Sequence, residues 1–185
     1  MNDKNNTISS LTYDLIKKDI IFGKLKPSAK LKLDNLKNSY KASLSTIRET
    51  LNRLASEGFV KAEEQRGFFV NSFTKEDLVE IANLRSLLEC HAIKLSINNG
   101  DTDWEGNLVA SYHKLHLLEK EMQKDYEKKR EEWKKYDWGF HLALVSNCGS
   151  KNLLSLHSIL YDKSIRYQMA VPEYRGKGAE DEHKI

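Results

Sequence analysis

Three groups of residues in this 185-residue chain have types and spacings that could do chemistry. Asp137 and His141 stand four apart in the run YDWGFHLAL, so both would project from one helix face, where a carboxylate and an imidazole can share a divalent metal. Taken alone, they read more simply as a paired surface couple. Arg85 and Glu89 are also four apart and can form an ion pair along a helix. Ser43, Ser45, Thr46 and Arg48 cluster at the start of a predicted helix. Hydroxyls at a helix N-terminus suit phosphates, and an arginine can donate two hydrogen bonds to guanine or phosphate. By themselves Arg48 and Arg53 read equally well as a solvated helix face. His113 with His116, and His91 beside Cys90, are ordinary core or surface residues.

The elements that must position these groups follow from the apolar spacing. Ser10–Phe22 predicts a helix with Leu11, Leu15, Ile16, Ile20 and Ile21 largely on one face, ended by Gly23 with Pro27 beyond it. Leu31, Leu33 and Leu36 pack the next short element, and Tyr40-Lys41-Ala42 is a turn. Ser43 is a good N-cap for a helix from Leu44 to Glu57. Along it Ile47, Leu51 and Leu54 face inward, leaving Ser45, Thr46, Arg48, Asn52 and Arg53 outward. Gly58 stops that helix. Phe59–Ala62 and Phe68–Val70 have strand character, joined through Glu63–Gly67, where Gly67 lets the backbone turn tightly and approach another surface. Helix, turn, helix and two-stranded hairpin is the order of a winged helix-turn-helix, which places its second helix in the DNA major groove.

After Phe73 the character changes to long helical patterns. Thr74–Asp77 looks like a capping box for a helix whose stripe runs through Leu78, Ile81, Leu84, Leu88, Ala92 and Leu95. Asn98-Asn99-Gly100 ends it. Thr102 with Glu105 starts another helix through Leu108, Leu115, Leu118 and Met122. Lys124–Lys135 reads as a solvated charged stretch, and Tyr136–Asn147 and Asn152–Met169 as two further amphipathic helices. The expected architecture is mainly α: a winged helix-turn-helix over residues 1–73, then an all-helical bundle over 74–185.

Charge divides at the same place. Residues 1–73 carry 13 Lys/Arg against 8 Asp/Glu, whereas residues 74–185 carry 17 against 19. A basic module suits phosphates, and the neutral-to-acidic one does not. The chain is 39% hydrophobic with no apolar run long enough to span a membrane, and MNDKNNTISS lacks the core of a signal peptide, so a cytoplasmic location is expected. Cys90 and Cys148 sit in apolar helical patterns without CxxC spacing and read as reduced core residues.

The N-terminal module resembles the GntR family of bacterial transcription regulators. The carrying motifs are I-x-x-G-x-L-x-P (Ile20–Pro27), S-x-S-T-I-R-E-x-L-x-x-L (Ser43–Leu54), E-G-F-V (Glu57–Val60) and R-G-F-F-V (Arg66–Val70). The resemblance implies that Ser43, Ser45, Thr46 and Arg48 contact DNA and that Arg66 and Gly67 lie at the wing tip by the minor groove. Lys30, Lys32 and Lys41 would add sequence-independent attraction that weakens with salt. Leu44 stands where the family usually has Arg, and Ser28 where it usually has Gly, so the operator cannot be borrowed from relatives.

The C-terminal module resembles the FCD ligand-binding domain of the FadR subfamily, through D-L-x-E-I-x-x-L-R-x-x-L-E (Asp77–Glu89), D-x-G-F-H-x-A-L (Asp137–Leu144) and E-H-x-I (Glu182–Ile185). This implies a divalent metal, zinc or nickel, on Asp137, His141 and His183. A further family histidine would fall after Ile185, so an incomplete ligand set and a missing last helix are expected. Arg85 would pair with a small carboxylic acid effector, with Arg166 and Tyr167 completing an anionic pocket. W-E-x-x-x-x-x-x-Y-H-x-L (Trp104–Leu115), Cys148-Gly149-Ser150 and Arg166-Tyr167 resemble the carbon-starvation, glutarate-pathway regulators, which points to a dicarboxylic acid.

The expected function is therefore a homodimeric, effector-controlled regulator, of repressor type, that binds operator DNA and no membrane. A metal-dependent helical-bundle enzyme is the first alternative, disfavoured because no nucleophile-base pair or second carboxylate cluster is present. A winged-helix protein-interaction module is the second, disfavoured by the basic N-terminal half and the hydroxyl-rich helix.

Overall fold

The computed structural model describes residues 7–122 and 126–170, apart from the side chains of residues 126 and 127. They form two compact units, one of residues 7–78 with 166–170, the other within residues 79–165. Among the described residues no helix is long and apolar enough to cross a membrane.

The first unit opens with α1, Ile8–Ile21, capped by the Thr7 hydroxyl on Ser10 N at 3.2 Å. Its buried face is Thr12, Tyr13, Ile16, Ile20 and Ile21, while Leu11 and Leu15 of the expected face are 45% and 50% exposed. Two polar side chains can replace them because each is hydrogen-bonded, Thr12 within the helix and Tyr13 to a distant carboxylate. Thr12 Oγ1 donates to Ile8 O at 2.7 Å, and Tyr13 OH donates to Glu57 at 2.5 Å. A two-residue strand, β1 (Lys30–Leu31), precedes α2 (Leu33–Tyr40) and α3 (Leu44–Ser56), and β2 (Val60–Glu63) and β3 (Gly67–Val70) follow. The expected hairpin is thus one part of a three-stranded antiparallel sheet in the order β1-β3-β2. β1 reaches β3 through a turn in which Ala29 N donates to Lys26 O at 3.1 Å with Ser28 at φ 62°. That left-handed conformation is the one glycine adopts without penalty.

The second unit is helical: α4 (Lys75–Asn98), α5 (Thr102–Met122), α6 (Tyr126–Val145) and α7 (Lys151–Ala170), with α4 entering it from Val79 and α7 leaving it after Ile165. Thr74 Oγ1 caps α4 by accepting from Asp77 N at 3.0 Å. α5 is capped by Asp101, whose Oδ1 accepts from Trp104 N at 2.8 Å, rather than by the expected Thr102. From Tyr126 on, the run expected as a solvated stretch is the first half of α6. It is anchored by Trp133, which is buried and donates its indole N–H to Glu119 at 3.2 Å. Ala92, Val145 and Cys148 form an apolar core with Leu95, Leu144, Leu153 and Leu154 packed against it. Cys148 is buried as expected, but Cys90 is exposed, and both thiols are free.

The inward side of α4 departs most from expectation. Leu84 of the apolar stripe is 43% exposed, whereas Ile81, Glu89, Ala92 and Ser96 are buried and Arg85 is half-buried. Charged residues turn inward where partners satisfy them, and here α6 and α7 supply the partners of Arg85 and Glu89.

Candidate functional site

The first surface is the N-terminal turn of α3. Ser43 sits at its N-cap, with Oγ accepting from Thr46 N at 3.1 Å and lying 2.7 Å from Ser45 Oγ and 2.8 Å from Thr46 Oγ1. Ile47, Thr50, Leu51 and Leu54 hold the inner face, so Ser43, Ser45 and Arg48 are exposed and Thr46 is half-buried. The N-terminal turn of the helix, three hydroxyls and a guanidinium thus share one face, a set of donors that suits phosphates and base edges. Leu44 is 39% exposed in the same turn, an apolar group among the hydroxyls. Arg53, by contrast, is a packing residue. Its guanidinium lies 3.7 Å from the Tyr13 ring centroid and 3.4 Å from Glu57.

The flanking cations are placed differently. Lys32 precedes α2, and Lys41 ends it in a left-handed conformation, φ 50°; both are exposed. At the wing tip Gln65 and Gly67 have φ 58° and 92°, and both Arg66 and Gly67 are exposed. Arg66 Nη1 is drawn back to Glu63 at 2.6 Å, and Lys61 reaches the other oxygen at 3.1 Å. The Lys61 hydrogen bond, with the Arg66 charge, holds the Glu63 carboxyl below its ordinary range.

The second site lies within the helical unit and centres on Glu89, which is 9% exposed. Its Oε1 accepts from His141 Nδ1, and its Oε2 accepts from Arg85 Nε at 3.0 Å and lies 3.6 Å from His157 Nε2. Burial pushes the Glu89 carboxyl up, but the His141 hydrogen bond, the nearby His157 ring and the Arg85 charge hold it well below the usual carboxylate range. Arg85 also donates through Nη1 to Ser164 Oγ at 3.0 Å, meets His141 Nε2 through Nη2 at 3.1 Å, and stacks 5.0 Å from the Tyr161 ring centroid. Asp137 is buried, accepts from Tyr161 OH at 2.5 Å through Oδ2, and faces His141 Nε2 with Oδ1 at 3.9 Å. His157 has no solvent exposure and stacks on Trp138, and neither of its ring nitrogens has a hydrogen-bond partner.

Of the sequence-derived site residues, the fold brings Asp137, His141 and Arg85 into one cluster. His183 lies outside the described residues. Arg166 and Tyr167 make their contacts on the segment that follows the wing. Arg166 donates to Asn71 O and lies 4.4 Å from the Phe73 ring centroid, and Tyr167 donates to Asp77 at 2.5 Å. Burial, with that hydrogen bond, pushes the Tyr167 phenol up to about 12. Sequence reasoning gave no site role to Glu89, His157, Tyr161 or Ser164. The last three do carry a signal, since they are four and then three residues apart and line one face of α7.

Asp137 and His141 fit a divalent cation as a pair of donors, oxygen and imidazole nitrogen facing each other across a polar, buried space. Among the described residues no group of three histidine, cysteine or acidic side chains converges to complete the set.

The fold defines a winged helix-turn-helix joined to a helical domain. Residues 9–70 match the model for bacterial regulatory proteins of the gntR family, and residues 80–184 match the FCD domain. The chain belongs to the GntR family, whose members are transcriptional regulators rather than enzymes. It is 36% identical over 157 residues to the uncharacterized HTH-type transcriptional regulator BphR of Paraburkholderia xenovorans, spanning 85% of this chain and 64% of that one. It is 35% identical over 164 residues to the HTH-type transcriptional repressor GlaR of Escherichia coli, spanning 88% of this chain and 73% of the relative. Among solved structures, E. coli McbR/YncC superposes with a TM-score of 0.74 at 24% identity, covering 96% of this chain and 81% of that one, a likeness of fold.

Proposed function

We propose that this protein is a sequence-specific DNA-binding regulator of repressor type whose DNA affinity is set by a small carboxylic or dicarboxylic acid bound in the helical unit. The observation that carries the reading is the exposed turn of α3, where Ser43, Ser45 and Arg48 face solvent while the helix is held from its other side. Lys32, Lys41, Arg66 and Gly67 would track the phosphate backbone, with Arg66 exchanging Glu63 for a phosphate. Leu44 supplies an apolar group suited to a thymine methyl. The repressor named among the relatives supports the sign of control.

In the helical unit Arg85 would hold the effector carboxylate, a planar guanidinium being the matching donor. Asp137 and His141 would hold a zinc or nickel ion, with His183 as the further donor expected from the family resemblance, and the ion would supply positive charge for an anionic oxygen. Exposed Leu87 and Ile97 on α4 and Val109 and Leu117 on α5 are apolar surface of the kind two copies bury, in keeping with a homodimer. Effector binding would change operator affinity through a coupling free energy between the two sites.

The direct test is Arg48→Ala. Specific retention and footprinting on the operator should be lost, a cost of about 1–3 kcal/mol in base discrimination, with the thermal midpoint unchanged. An unaltered footprint from that variant would remove α3 as the reader.

A further inference from the structure

Each of the two facing donors of the helical unit is held from behind by a different residue. A carboxylate oxygen can only accept a hydrogen bond, so the contact of Glu89 Oε1 with His141 Nδ1 places the ring proton on Nδ1. Nε2 is then the nitrogen with the lone pair. That assignment agrees with its other neighbour, since Arg85 Nη2, a donor, meets Nε2 at 3.1 Å. On the opposite side Tyr161 OH takes up Asp137 Oδ2 at 2.5 Å, which turns Oδ1 toward Nε2 at 3.9 Å.

Glu89 cannot itself serve as a ligand without giving up these contacts. Oε1 is occupied by His141, and Oε2 by Arg85 at 3.0 Å with His157 at 3.6 Å. It acts through the imidazole. A carboxylate on the far nitrogen of a metal-binding histidine fixes the tautomer and ring orientation and raises the basicity of the ligating nitrogen.

We propose that Glu89 and Tyr161 are positioning residues that preorganise His141 Nε2 and Asp137 Oδ1 as a matched donor pair for a divalent cation. The inference rests on the metal reading given above. It goes further in assigning the two residues that aim the donors, and in making Arg85 the group that holds the Nε2 lone pair in the metal-free protein. Arg85 must release Nη2 from His141 when that lone pair is used, which frees a guanidinium N–H for an anion.

The test uses the full chain with nickel alone, its affinity read by competition with a chelator, and the His141 tautomer of the metal-free protein read by long-range proton–nitrogen NMR. In Glu89→Gln the side-chain amide can donate or accept, so His141 should shift from the Nδ1–H form to a mixture, with nickel affinity falling about 10- to 100-fold. Tyr161→Phe removes only one hydroxyl. It should weaken nickel by a smaller factor and leave the tautomer unchanged, and it keeps the test in hand if Glu89→Gln folds poorly. An unchanged tautomer in Glu89→Gln, or undiminished nickel affinity in both variants, overturns the positioning role while the metal reading stands. If wild type takes up no nickel, or if Asp137→Asn takes it up equally, the metal reading fails and this inference fails with it.

Discussion

The two candidate sites use polar side chains in opposite ways. On α3 the groups assigned to DNA face outward and, apart from the Ser43 cap, contribute little to folding; Ile47, Leu51 and Leu54 hold the helix whatever stands at Ser45 or Arg48. In the helical unit Arg85, Glu89, Asp137 and His141 face inward, and the same contacts that would serve a ligand also satisfy one another. A partner as large as DNA must be met by a projecting surface. A small anion can be taken out of water, and its receptor must then be hydrogen-bonded before the ligand arrives. The lesson is that mutation separates function from stability in the first region and joins them in the second.

The largest expected effect follows from that contrast. Glu89→Ala leaves Arg85 without its carboxylate and His141 without its acceptor in a buried setting, and should cost about 3 kcal/mol in urea unfolding. Arg48→Ala should stay within about 0.5 kcal/mol of wild type in the same measurement. Equal losses from the two variants would break the comparison.

The N-terminal unit has a buried polar network of its own, away from the exposed first turn of α3. Burial, with the hydrogen bond to Glu57, pushes the Tyr13 phenol up to about 12 from 10.0. A group whose folded-state value is raised stabilises fully below its unfolded value, so this contribution is present below pH 10 and declines as pH rises toward 12. The loss should be roughly 1–2 kcal/mol across that window. Tyr13→Phe should show a flatter stability profile there. A slope identical to wild type would mean that the Tyr13–Glu57 contact plays no part.

The smallest effect concerns the backbone that carries the wing. Ser28 holds φ 62° in the turn before β1, so Ser28→Gly relieves a left-handed residue and should stabilise the reader by about 0.5–1 kcal/mol by thermal melting. Its operator affinity should not change, since no DNA-facing group is touched.

Much of the reader was legible because its signals are local. A capping serine, the 3–4 spacing of Ile47, Leu51 and Leu54, and the glycines at 58 and 67 specify their own conformations within a few residues. The missing piece there was β1, since a two-residue strand has no pattern until Lys30 and Leu31 pair with Phe69 and Phe68 of β3. On α1 the apolar residues pointed to Leu11 and Leu15, yet Tyr13 is buried because Glu57, 44 residues away, accepts its hydroxyl.

The helical unit was less legible for the same physical reason. Amino-acid type alone determined that the described residues from Lys75 to Ala170 are mainly helical, that Asp137 and His141 share a face, and that Arg85 has a carboxylate one turn away. Hydropathy then pointed to Leu84 as inward. What turns Arg85 and Glu89 inward is a set of partners 52 to 79 residues distant, His141 and Ser164, which only folding brings within hydrogen-bond range. Whether a charged residue faces water or the core is decided by the free energy of its contacts, and for this site those contacts come from three separate helices, a matter of tertiary structure.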